Sequence, residues 1–140
     1  MYNIRIMEIK DYEEIYELWK NTPGVGLSGN DDSKESITIF LTKNPTTNFI
    51  AEIDQKIIGT IMAGHDGRRG HIYHLVIKEG YRKKGIAKKL VEKTQDALKK
   101  EGIKKISLVV FKENKIGNNF WRKIGYKTRE DLKYRDKRIE

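Results

Sequence analysis

The run His74-Leu75-Val76-Ile77-Lys78-Glu79-Gly80-Tyr81-Arg82-Lys83-Lys84-Gly85-Ile86-Ala87 places an apolar strand, a basic turn and the start of an amphipathic helix in direct succession. The first turn of a helix leaves backbone N–H groups without intrahelical partners, and the aligned peptide dipoles make that end positive. A turn that adds Arg82, Lys83 and Lys84 to such an end is an anion cradle suited to a pyrophosphate. Gly85 and Ala87 are small, so a phosphate can approach the backbone closely. Just upstream, His71, Tyr73 and His74 place titratable side chains on the same strand. Strict alternation puts His71 and Tyr73 on one face and His74 on the other.

Two familiar phosphate-binding strings are excluded. The Gly-x-x-x-x-Gly-Lys-Ser/Thr loop is absent. A dinucleotide fingerprint would need more glycines in the turn and an acidic residue ending the following strand. Taken alone, the basic turn reads equally as a solvated helix cap. The string Arg82-Lys83-Lys84-Gly85-Ile86-Ala87 directly after a strand is more specific than its charge.

These residues need a scaffold, and periodicity supplies one. Residues 2–9 alternate as a strand. Asp11 opens a helix, with Glu14 completing a capping box and Tyr12, Ile15, Leu18 and Trp19 as its apolar stripe. Residues 21–32 form a loop with Pro23, Gly24, Gly26 and Gly29. Asp32 and Glu35 mark a second helix start, Ile37, Phe40 and Leu41 its buried side, and Asn44-Pro45 its stop. Residues 48–53 and 56–63 read as a hairpin about Asp54-Gln55. Residues 71–77 are the next strand. A helix from Gly85 buries Ala87, Leu90, Val91, Thr94, Ala97 and Leu98 and ends at Gly102. Residues 103–111 read as a central strand, 114–124 as a short helix, and Tyr126 onward as a last strand. The order β-α-α-β-β-β-α-β-α-β has three consecutive strands. It argues for an α/β domain with a mixed sheet and helices on both faces, not a doubly wound parallel sheet.

With 140 residues the chain is the size of one domain, spanning 1–140. It has no cysteine, so disulfides and thiolate metal sites are excluded and a reducing cytoplasm is the expected compartment. No apolar run approaches the roughly 20 residues that span a bilayer, and no membrane partner is expected. The net charge of +9 favours an acidic ligand. Most lysines are scattered over helix faces, and no aromatic-basic platform accompanies them. A basic nucleic-acid-binding module is therefore kept only as an alternative.

The chain resembles the GNAT superfamily of acyl-coenzyme A-dependent N-acetyltransferases. The resemblance rests on the strand-turn-helix above, on Asn114 after the next strand, and on Phe120-Trp121-Arg122-Lys123-Ile124-Gly125-Tyr126, which matches the family's Phe-Tyr-x-x-x-Gly-Phe/Tyr ending. The stretch Gly59 to Gly70 is similar to a branch of small bacterial members. The resemblance implies acetyl-coenzyme A as co-substrate, an amine as acceptor, and no metal. It implies a pyrophosphate on the N–H groups of Arg82, Lys83, Lys84, Gly85, Ile86 and Ala87. It also implies a pantetheine arm lying like an extra strand against backbone groups of Leu75, Val76 and Ile77, where this strand splays from the next. A bulge there would aim an N–H at the thioester oxygen. Asn114 would touch the arm, or simply cap its helix.

Proton handling is also implied by the family. A base on this strand, six residues before its last apolar position, falls on His71; a surface histidine is the alternative. The tyrosine that usually protonates the leaving thiolate is replaced by Trp121, whose indole N–H is no acid. Trp121 then packs against the core or the arm, and Tyr73 or Tyr126 is left as a substitute acid. The acceptor site is implied to lie between residues 21–32 and the region beyond Tyr126. There Asp31, Asp32 and Glu35 either attract a cationic amine or cap the helix. The acceptors in view are a protein N-terminus, a lysine, a polyamine, an aminoglycoside-like amine or an amino acid. The missing acid keeps a non-catalytic acyl-coenzyme A sensor as an alternative. Monomer and homodimer both stay open.

Overall fold

In a computed structural model that describes all 140 residues, Asp54 and Gln55 sit at φ 50° and 65°. This is the left-handed pair that a two-residue hairpin requires, and β2 (Phe49–Ile53) turns there into β3 (Lys56–His65). β1 (Asn3–Ile6) pairs antiparallel with β2, and β4 (Gly70–Ile77) antiparallel with β3. β5 (Ile106–Leu108) pairs parallel with β4. The five strands form one mixed sheet in the order β1-β2-β3-β4-β5.

The helices are α1 (Tyr12–Lys20), α2 (Lys34–Lys43), α3 (Ile86–Lys100) and α4 (Lys115–Lys123). None is long and apolar enough to cross a membrane. The chain divides into two compact units, Met1–Val109 and Val110–Glu140.

In the first unit the glycines of β3 and β4 report which helix lies on which face. A Cβ on Gly64 would meet Asn44 and Phe40 of the α2 region; one on Gly59 would meet Leu90 of α3, and one on Gly70 would meet Leu98 of α3. Helices therefore cover both faces. The α1–α2 side buries Met7, Ile15, Trp19, Ile37, Ile50, Met62 and Val76. Burying one such large apolar side chain contributes about 1.5–3 kcal/mol. Polar groups inside this core are paired. Asn48 is fully buried; its Oδ1 accepts from Ala63 N–H (2.8 Å) and its Nδ2 donates to Asn44 O (2.8 Å). The side chain thus extends the β2–β3 ladder where β2 begins.

Several elements differ from the sequence expectation. The first strand stops at Ile6, and Ile9–Asp11 form a 3-10 turn. The Asp11–Glu14 capping box is not made. Asp11 instead accepts from Glu8 N–H (2.9 Å) and from both terminal nitrogens of Arg5 (2.9 and 3.0 Å), while Glu14 accepts from Ile57 N–H (2.8 Å). Ser33, not Asp32, caps α2, its hydroxyl accepting from Ser36 N–H. The strand read over 103–111 is only three residues long and forms the edge of the sheet, not its centre. Val109 and Phe111 are exposed, so that run is apolar without being buried. No strand forms after Tyr126, and the chain ends with β-α-α-β-β-β-α-β-α as its order. Ten of residues 127–140 are charged, which leaves too little apolar surface to hold a strand on a sheet.

Candidate active site

The register of β3 against β4 shifts by one residue in the middle. Met62 faces His74 and Ala63 faces Ile72, so Tyr73 is an extra residue on β4. This is a β-bulge. At the same point β4 and β5 part: they pair only over Gly70–Ile72 and Ile106–Leu108. Within the sheet, Tyr73–Ile77 have β3 alone as a partner.

Alternation then decides which backbone groups face the open edge. Lys78 N–H donates to Ile58 O (2.8 Å), Val76 faces Thr60, and His74 faces Met62. These positions spend their backbone groups on β3, and an antiparallel ladder turns those of Leu75 and Ile77 the other way. The expectation that Leu75, Val76 and Ile77 all keep unused groups is corrected twice. Val76 belongs to the β3 ladder, and Ile77 O already accepts from Arg82 Nε (3.1 Å). Leu75 and the Ile77 N–H remain along the edge.

Beyond Ile77 the chain makes the basic turn. Lys83 takes φ 62° and Gly85 φ 81°. Left-handed backbone costs a residue such as lysine about 1–2 kcal/mol, so the turn is bent against its own preference. α3 starts at Ile86 with Gly85 as N-cap and no side-chain cap. The N–H groups of its first turn are thus not closed by a capping side chain. Nothing lies within 4 Å of where a Cβ on Gly85 would sit. Its φ favours glycine there, and the space above it is open.

The bulge also resets the faces of β4. His71 faces Gly64, whose Cβ position points at α2, and its ring lies 4.5 Å from that of Tyr73. The Tyr73 ring is 5.4 Å from Phe40 of α2. After the extra residue, His74 also points to this side, 4.7 Å from the Trp19 ring of α1. The alternation that separated His74 from His71 and Tyr73 is therefore overturned: all three face α1 and α2. His71 Nδ1 lies 3.1 Å from Ser107 Oγ of β5, and burial lowers its pKa from 6.5, favouring the neutral ring.

His74 Nε2 lies 2.8 Å from Asp32 Oδ1. Asp32 Oδ2 accepts from Ser28 N–H (2.8 Å). Burial by itself would push the Asp32 carboxyl up; the bonds from His74 and Ser28 outweigh it and hold it below the ordinary value. Asp32 is thus neither helix cap nor solvent-facing charge, while Asp31 and Glu35 are exposed. The contacts of Ser107, Phe40, Trp19 and the Asp32–His74 pair escaped the sequence reading. Each joins residues far apart in the chain, and no local pattern signals it.

In the second unit Asn114 caps α4, its Oδ1 accepting from Gly117 N–H (2.9 Å). Trp121 is buried and packs edge-on to Phe120 (5.1 Å) and Tyr126 (5.0 Å). Tyr126 N–H donates to Trp121 O (2.9 Å). The packing reading of Trp121 therefore has a definite basis within this unit.

Residues 12–126 match the Acetyltransferase (GNAT) family. The chain belongs to the GNAT acetyltransferase family. It is 33% identical over 130 residues to an acetyltransferase of Photorhabdus laumondii subsp. laumondii, covering 90% of this chain and 87% of that one. It is 30% identical over 129 residues to an acetyltransferase of Yersinia pestis, covering 92% and 90%. Among solved structures, the PaiA N-acetyltransferase from Thermoplasma acidophilum in complex with coenzyme A aligns with TM-score 0.76 at 25% identity, covering 89% of each chain. This GNAT protein is an N-acetyltransferase, and acetyl-coenzyme A is its co-substrate.

Proposed function

We propose that the protein transfers the acetyl group of acetyl-coenzyme A to an amine of a small molecule or protein by direct attack in a ternary complex. One observation carries this reading: β4 loses its β5 partner at the Tyr73 bulge and then runs into a helix start with no side-chain cap. A pyrophosphate suits the first-turn N–H groups of Ile86 and Ala87, beside Gly85, Lys83 and Lys84. Arg82 joins them from its bond to Ile77 O. The pantetheine amides suit the edge groups of Leu75 and Ile77.

In this reading the neutral amine attacks the thioester carbonyl, whose oxygen is stabilised by a backbone N–H at the bulge. His71, kept neutral by burial, takes the proton from nitrogen. The C–S bond breaks and the thiolate departs; Tyr73 supplies its proton. A thiol with a pKa of about 8.5 leaves tolerably without a strong acid. The chain has no cysteine to form an acyl-enzyme.

The test is thiol release from acetyl-coenzyme A in the presence of an alanine-terminal peptide, L-lysine, spermidine and an aminoglycoside. Amine-dependent release with at least one of them is expected. Coenzyme A binding with no turnover across the panel would leave the sensor reading in its place.

A further inference from the structure

Residues 21–33 join α1 to α2 and contain Gly24, Gly26 and Gly29, so their own sequence does little to hold one conformation. Asp32 anchors them. Its Oδ2 accepts from Ser28 N–H (2.8 Å), its own N–H donates to Ser28 O (2.9 Å), and its carbonyl accepts from the Tyr12 hydroxyl (2.6 Å). Its Oδ1 accepts from His74 Nε2 (2.8 Å). A carboxylate only accepts, so the hydrogen sits on Nε2. The side chains are nearly sealed, at 7% and 12% exposure. The imidazole is backed by Trp19, and Trp19 Nε1 donates to Thr60 Oγ1 of β3 (3.0 Å). His74 is the residue directly after the bulged Tyr73.

We propose that Asp32 and His74 form a latch that fixes the 21–33 loop against β4 beside the bulge, making Asp32 a positioning residue for the acceptor wall and not a charge that draws the amine in. It rests on the acetyl-transfer reading above, in which this loop walls the acceptor site. Both Asp32 oxygens receive hydrogen bonds from the protein and the group is almost closed to solvent, so no oxygen is offered to a substrate ammonium. The same bonds tie a glycine-rich loop to His74, the β4 residue that directly follows the inserted Tyr73. Loop and bulge therefore move together or not at all.

The experiment uses the full chain with Asp32→Asn and Tyr12→Phe. Tyr12→Phe removes one anchor of Asp32 and leaves β4 untouched, so it remains informative where Asp32→Asn folds poorly. Hydrogen exchange needs no acceptor and reads the latch by itself. In Asp32→Asn the amides of residues 21–33 exchange about tenfold faster or more, with β4 and α3 within about twofold of the parent. Tyr12→Phe moves the same amides in the same direction by less. With whichever amine of the panel turns over best, the acceptor KM of Asp32→Asn rises about tenfold while coenzyme A affinity stays within about threefold. Unchanged exchange in 21–33 in both variants overturns the latch. So does a loss of coenzyme A affinity that matches the rise in acceptor KM, since that marks general damage. If no amine turns over, the acetyl-transfer reading fails while the exchange result still decides the latch.

Discussion

His71 and His74 face the same side of the sheet although they lie three positions apart on one strand. Ordinary alternation would put them on opposite faces. Tyr73 is the inserted residue that brings them together, and it sits where β4 leaves β5. One extra residue thus opens the strand edge and gathers the ionisable side chains of β4 on the face toward α1 and α2.

Gly85→Asn tests the cradle. Asparagine tolerates left-handed backbone, and no protein atom lies within 4 Å of its Cβ position, so the fold should hold. The side chain would stand where the anion is to sit. Calorimetry is expected to show coenzyme A affinity reduced by about tenfold or more, roughly 1.4 kcal/mol. Unchanged affinity would remove Gly85 from the site.

His71→Ala tests the base. Burial disfavours the imidazolium, so the folded pKa lies below the ordinary 6.5 and the ring is neutral above it. kcat/KM should fall in the parent as pH drops through this lowered pKa, and the acidic limb should vanish in His71→Ala together with a loss of rate of about 10²- to 10⁴-fold. The sign for stability is the same. The unfolded chain binds the proton first, so this group's contribution weakens as pH falls from 6.5 toward the lower native value. An unaltered pH–rate profile rejects His71.

Asn48→Leu tests how the sheet is held behind the site. The change leaves Ala63 N–H and Asn44 O buried without their partners. A destabilisation of about 2–3 kcal/mol is expected in urea unfolding. A shift under about 0.5 kcal/mol would mean that Asn48 is not what completes the ladder.

Much of the scaffold was legible because it is periodic. The stripes of Ile15 and Trp19 in α1, and of Leu90, Val91 and Leu98 in α3, are buried as their spacing implies. Asp54-Gln55 turn the hairpin, and Gly85 ends the basic turn. What escaped was set by tertiary partners. Asp11 and Asp32 have the residue types of helix caps, but Arg5 and His74 claim their carboxylates. The run Ile103 to Phe111 has strand composition throughout, yet only Ile106–Leu108 find a partner strand. The Tyr73 bulge leaves no mark in composition, because insertion of one residue is defined only against the strand opposite.

The most direct test of direct transfer in a ternary complex is an initial-rate matrix in which acetyl-coenzyme A and the accepted amine are varied together. Intersecting double-reciprocal lines, with acetylated amine formed in step with free coenzyme A, are the expected result. Parallel lines, or thiol release with no dependence on amine, would contradict it.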